Sequence, residues 1–208
     1  YAEVLGEQFS FHQGDSVLLK ANLINRSGLL VVLSKVEMST GEKLELDEKL
    51  LLNEPLALDL KSNGKTDISN PYWLNEPFGT TFKVSDPSDF CAPESRPSIT
   101  LKFTFLVDDQ PFSISIPAAY KWRDPSYGER RRPLISTPGY TASFEEQQLL
   151  TKSGEPKEVR IKIKNFRDSL NTTLNITAPK GWTISPNKIH LEFNTMHAEE
   201  WFVLTVEA

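Results

Sequence analysis

Ser16-Val17-Leu18-Leu19-Lys20-Ala21-Asn22-Leu23-Ile24 places Val17, Leu19, Ala21 and Leu23 at every second position. Successive side chains of a strand point to opposite faces, so this spacing describes a strand with one packed side. The group Asn25-Arg26-Ser27-Gly28 that follows is made of turn formers, and residues 30–36 resume an apolar run. Further strands are expected at 43–52, 56–60, 80–84, 98–107 and 112–116. Asn63-Gly64 is a strong turn signal, and Asp108-Asp109-Gln110-Pro111 lies between two of these runs as a hairpin turn. Residues 144–152 contain good helix formers but are short, and a strand or loop is an equal reading. The 14 prolines fall between the runs, which suits many short strands rather than long helices.

A second pattern of alternation begins later. Val159, Ile161 and Ile163 share one side of residues 157–165, strands are expected at 170–176, 188–193 and 200–206, and residues 179–186 read as a turn leading into a short strand. Between the two patterns, residues 123–138 are polar and contain three prolines, and they read as a linker or a long ordered connection. The fold class expected is all-β: two consecutive antiparallel β-sandwich, immunoglobulin-like domains. The larger domain, 1–133, includes the connection and holds about eight or nine strands. The smaller one, 134–208, holds six or seven.

Composition narrows the function classes. Twenty-eight acidic residues against 23 Lys and Arg give a formal charge of -5, the wrong sign for a nucleic-acid partner. The longest apolar run, 29–33, falls far short of the roughly 20 residues needed to cross a bilayer, so no membrane insertion is expected. The single cysteine, Cys91, admits no intrachain disulfide and reads as an incidental, partly buried thiol.

Candidate sites are few. Asp108 and Asp109 are neighbours in a turn, where two carboxylates point apart instead of flanking a substrate. His190 and His197 have no set of acidic or imidazole partners in sequence, and a metal needs three or four converging ligands. Arg130-Arg131-Arg132, with Lys121 and Arg123 nearby, could grip a sulfate, phosphate or acidic sugar, or could tie the connection to acidic surfaces. The aromatic residues Tyr72 and Trp73, with Phe78, and separately Tyr120 and Trp122, are the best ligand candidates. They could stack on sugar rings, with Asn70 or Asp86 meeting hydroxyls, or could fill a domain interface. Trp182 and Trp201 are expected in the core of the smaller domain. Three Asn-x-Ser/Thr triplets begin at Asn25, Asn171 and Asn175, and matter only in a eukaryotic secretory host.

Two resemblances add to this reading. EVRIKIKN (158–165), LNITAPKGWTISP (174–186) and WFVLTV (201–206) resemble the small immunoglobulin-like module appended to secreted bacterial glycan-active enzymes. ISNPYWL (68–74), FKVSD (82–86), AYKWRDP (119–125), Gly128-Glu129 and Arg132-Pro133-Leu134 resemble the region after the catalytic domain in large bacterial LmbE/PIG-L-family N-acetylglucosamine deacetylases. That family's metal-binding His-Pro-Asp-Asp stretch is absent: His12, His190 and His197 are the three histidines, and none precedes Pro-Asp-Asp. The resemblance therefore implies a non-enzymatic part, without cofactor or metal, of a zinc-dependent deacetylase. Its partner would be the catalytic domain of the same parent chain, with a glycan as a second candidate partner, in a bacterial periplasm or outside the cell. The start at Tyr1, already strand-like, fits such a fragment.

Overall fold

The computed structural model describes residues 1–77 and 79–208. The chain divides into two compact units, Tyr1–Thr137 and Pro138–Ala208. Both are built from strands, and no helix among the described residues is long and apolar enough to cross a membrane.

The first unit contains β1 (Ala2–Gly6), β2 (Ser10–His12), β3 (Val17–Ile24), β4 (Val31–Met38), β5 (Lys43–Leu50), β6 (Pro55–Ser62), β7 (Thr100–Val107), β8 (Gln110–Pro117), β9 (Ala119–Asp124), β10 (Gly128–Pro133) and β11 (Ile135–Thr137). One sheet has the order β10-β9-β1-β3-β6, and a second has β5-β4-β7-β8. Val17, Leu19, Ala21 and Leu23 bury the inner face of β3, while Leu18 stays half exposed on the other side. They meet Leu33, Val36, Leu101, Phe103 and Phe105 of the second sheet in one core. Two sheets sharing one apolar interior make the unit a β-sandwich. Asp108 and Asp109 close the β7–β8 hairpin, both at positive φ, as a tight two-residue turn requires.

Three expectations are corrected in this unit. Of the two readings of residues 123–138, a linker or a long ordered connection, the structure has the ordered one, and it belongs to the first unit. These residues hold the β9–β10 hairpin and β11, Leu134 is in the core, and the unit therefore runs four residues past 133. The polarity of this stretch belongs to a sheet edge: the Asp124 carboxylate caps the hairpin turn, accepting from the N–H of Ser126 at 2.8 Å and Tyr127 at 2.9 Å. Residues 80–84 form no strand; they offer no buried face, and alternation without a surface to pack on does not make a strand. The sheets are not wholly antiparallel, because β1 meets β9, and β2 meets β11, in parallel.

The second unit contains β12 (Tyr140–Phe144), β13 (Lys157–Asn165), β14 (Leu170–Asn175), β15 (Thr183–Ser185), β16 (Lys188–Phe193) and β17 (Glu199–Glu207). The sheet β12-β13-β17-β15 faces the pair β14-β16, and Ile161, Ile163 and Leu204 pack on Leu170, Ile189, Leu191 and Phe193. Residues 145–156 are loop, with neither helix nor strand. Trp201 is not in this core. It lies opposite Lys162 in the register, with Phe202 and Leu204 turned inward on the alternate positions. The exposed indole instead carries the Arg160 guanidinium 4.8 Å from its ring centre. Trp182 is half-buried and lines a shallow apolar groove with Phe144, Pro179 and Ile184.

Candidate functional site

The β9–β10 hairpin brings together residues that sequence spacing alone could not relate. Tyr120 and Trp122 are two positions apart on β9 and so share a face. The antiparallel register sets Arg132 directly opposite Tyr120, and Arg130 directly opposite Trp122. The Tyr120 and Trp122 rings are near-parallel, 5.8 Å apart with 18° between their planes. Phe9, from the segment between β1 and β2, meets Tyr120 edge-on at 6.2 Å. The Arg132 guanidinium lies 4.3 Å over the Phe9 ring, and Arg130 lies 4.8 Å over Tyr127. Tyr120 is half-buried, whereas Trp122 is exposed at the end of this ladder.

The opposite face of the hairpin is an ion-pair clamp. The Lys121 ammonium donates to both carboxylate oxygens of Glu3, at 3.2 and 3.1 Å. Glu3 is buried, and Arg131 Nη1 approaches it to 3.9 Å. The hydrogen bond donated to Glu3 raises the Lys121 pKa above the ordinary lysine value, and burial opposes it. This clamp fixes the hairpin to β1 and so fixes the direction of the aromatic face.

No family model matches this chain, and no curated protein does.

The other aromatic pair is built differently. Tyr72 and Trp73 sit in one 3-10 turn, Tyr72–Leu74, with their rings at 86° and 4.9 Å apart. The Tyr72 hydroxyl donates to the Ala92 carbonyl at 3.2 Å, so its polar end is spent on the loop. Perpendicular rings offer an edge and a face, not a common platform. Phe78 lies outside the described residues. Asp86 is also engaged: it accepts from the Ser88 N–H and hydroxyl and pairs with Arg96, which also holds Asp89 at 2.9 Å. The Ser88 N–H, then its hydroxyl, then Arg96 hold the Asp86 carboxyl down to about 2.

Other sequence candidates lie apart from this face. Asp108 accepts from the Leu30 N–H at 3.2 Å and serves its turn. His190 is exposed on β16; His197 sits at positive φ with its ring edge-on to Phe166, 5.8 Å away. His12 Nδ1 is 3.2 Å from the Thr137 carbonyl. Cys91 is exposed rather than partly buried, and it occupies a positive-φ position in the loop between β6 and β7, which packs it against no core. Asn25 is no glycosylation acceptor here, because its side chain is buried and its amide is fully engaged.

A feature the sequence reading missed lies at the end of the first unit where Asn25 sits. Asn25 Nδ2 donates to the carbonyls of Leu29 at 3.1 Å and Leu50 at 3.3 Å, and its own carbonyl accepts from Asn53 N–H at 2.7 Å. This pins the β3–β4 loop to the β5–β6 loop. On those two loops Leu29, Leu30, Leu51 and Leu52 are each at least 44% exposed. Beside them, exposed Tyr1 and Phe112 line a shallow cleft with Leu50, Phe105 and Ile114. The available signal was Leu29-Leu30 and Leu51-Leu52, apolar pairs at strand ends where alternation would put one polar residue.

Proposed function

We propose that this chain is a non-catalytic accessory region of an extracytoplasmic bacterial glycan deacetylase of the LmbE/PIG-L type. In this reading its first unit docks the catalytic domain of the same parent polypeptide, and its second is an immunoglobulin-like module. The resemblance quoted above, within residues 68–134, supports the parentage. The observation that carries the docking role is the ordered apolar end: four leucines on two loops locked by one buried asparagine. A soluble chain gains nothing from holding such side chains in water, and a rigid apolar surface is what a partner domain needs. The test is to mix the chain with the separately produced catalytic domain and follow association by sedimentation. Leu29→Ser with Leu52→Ser should weaken it by about tenfold or more. Absence of association, or deacetylase turnover by the chain alone with zinc, would refute the proposal.

A second reading, carbohydrate binding, is favoured by the near-parallel Tyr120–Trp122 pair. The positive edges of sugar C–H groups suit the negative face of an indole, and Tyr120 backs Trp122 so that little freedom is lost on binding. Tyr72 and Trp73, being perpendicular and tied to their loop, suit an interface better than a sugar platform.

A further inference from the structure

We infer that the Trp122–Arg130 face of the β9–β10 hairpin takes an acidic glycan, one whose sugar rings carry carboxylate or sulfate groups; this rests on the carbohydrate-binding reading of that face. Residues 119–133 hold five cations, Lys121, Arg123, Arg130, Arg131 and Arg132, against two carboxylates, Asp124 and Glu129. The chain as a whole is acidic, at -5, so this is a local inversion of charge. The two faces of the hairpin handle it differently. On one, Lys121 and Arg131 are neutralised by Glu3, and Lys121 also by Glu129 at 3.6 Å. On the other, Arg130 and Arg132 have no ion pair among the described residues, and each rests on an aromatic ring instead.

Each of these guanidinium groups, its central carbon 4.8 or 4.3 Å from a ring centre, spends no N–H donor on a carboxylate among the described residues, which leaves donors for a ligand. Those donors form a planar fork that matches a carboxylate or a sulfate. Arg130 stands directly across from Trp122, so one sugar can lay its ring on the indole while its acid group meets the fork beside it. Arg132, the next residue on the same face, is placed for a second acid group along the glycan. The stacking of Arg130 on Tyr127 and of Arg132 on Phe9 orients both forks before any ligand arrives. A neutral sugar would leave two like charges unrelieved on one face; an anionic one removes their repulsion.

The experiment is calorimetric titration of the full chain with uronate and sulfated tetrasaccharides, neutral tetrasaccharides, and a thymidine decanucleotide. The expected result is binding of an acidic tetrasaccharide at least about tenfold tighter than any neutral one, weakening as salt is raised. R130Q with R132Q should lose that preference, W122A should lose binding to all sugars, and R123Q on the other face should change neither. Trp122→Phe should restore part of the binding, which separates stacking from misfolding. Equal binding of neutral and acidic sugars would overturn this inference and leave the carbohydrate reading standing. Absence of binding to every sugar would overturn both. Tighter binding of the decanucleotide would assign the face to single-stranded nucleic acid instead.

Discussion

Gly64 lies so close to Asp15 that a Cβ on Gly64 would sit 2.1 Å from the Asp15 carbonyl oxygen. Gly64 also has a φ of +61°, and its carbonyl accepts from the Gly14 N–H at 2.9 Å. The end of β6 is thereby pressed onto the turn before β3. Replacing Gly64 by Ala adds both backbone strain and a clash with main-chain atoms that cannot swing away. The expected cost is about 2–4 kcal/mol. A urea titration of G64A against the wild-type chain measures it, and an unchanged midpoint would refute the stated contact.

The Glu3–Lys121 clamp makes a second prediction. Lys121→Met leaves a buried carboxylate with Arg131 at 3.9 Å as its remaining cation. A buried charge left with so little compensation is costly, and about 2–4 kcal/mol of stability should be lost. Adding Glu3→Gln removes the orphaned charge, so the double variant should be more stable than Lys121→Met alone. A double-mutant cycle by thermal or chemical denaturation reads the coupling directly.

The third concerns acid. The Asp86 carboxyl is depressed from 3.8 to about 2 in the folded chain by Ser88 and Arg96. A depressed acid stabilises the fold fully above its unfolded value, and that contribution fades as pH falls from about 4 toward 2. The loop carrying Asp86, Ser88, Asp89 and Arg96 should therefore loosen over that window. Carboxyl-carbon NMR titration of Asp86 should show the low midpoint. Arg96→Gln should raise it only part of the way, because the Ser88 N–H and hydroxyl remain the larger causes. Full return to 3.8 in that variant would contradict the ordering.

Much of the strand inventory was legible in the sequence because alternation reports burial on one face. Residues 16–24, 157–165 and 188–193 show this most plainly: each strand found there buries alternate residues. Strands with little apolar signal were invisible. Ser10–His12, Gly128–Pro133 and Ile135–Thr137 are short or polar, and exist because a neighbouring edge completes their hydrogen bonds. The converse error, 80–84, had the alternation but no surface to receive it. Of the candidate site, Tyr120, Trp122 and the arginine run were each visible, but their pairing was not.

The sequence by itself determined the all-β character, the inward face of β3 and β13, and the charge that runs against the rest of the chain in 119–133, since these follow from residue type and spacing. The tertiary structure alone decided three things: that β11 returns to pair in parallel with β2, that Trp201 faces water while Phe202 faces the core, and that Arg130 stands across from Trp122. The reason is register. A slip of one residue moves every side chain of a strand to its other face, and register is set by partners far away in the chain, which local spacing does not encode.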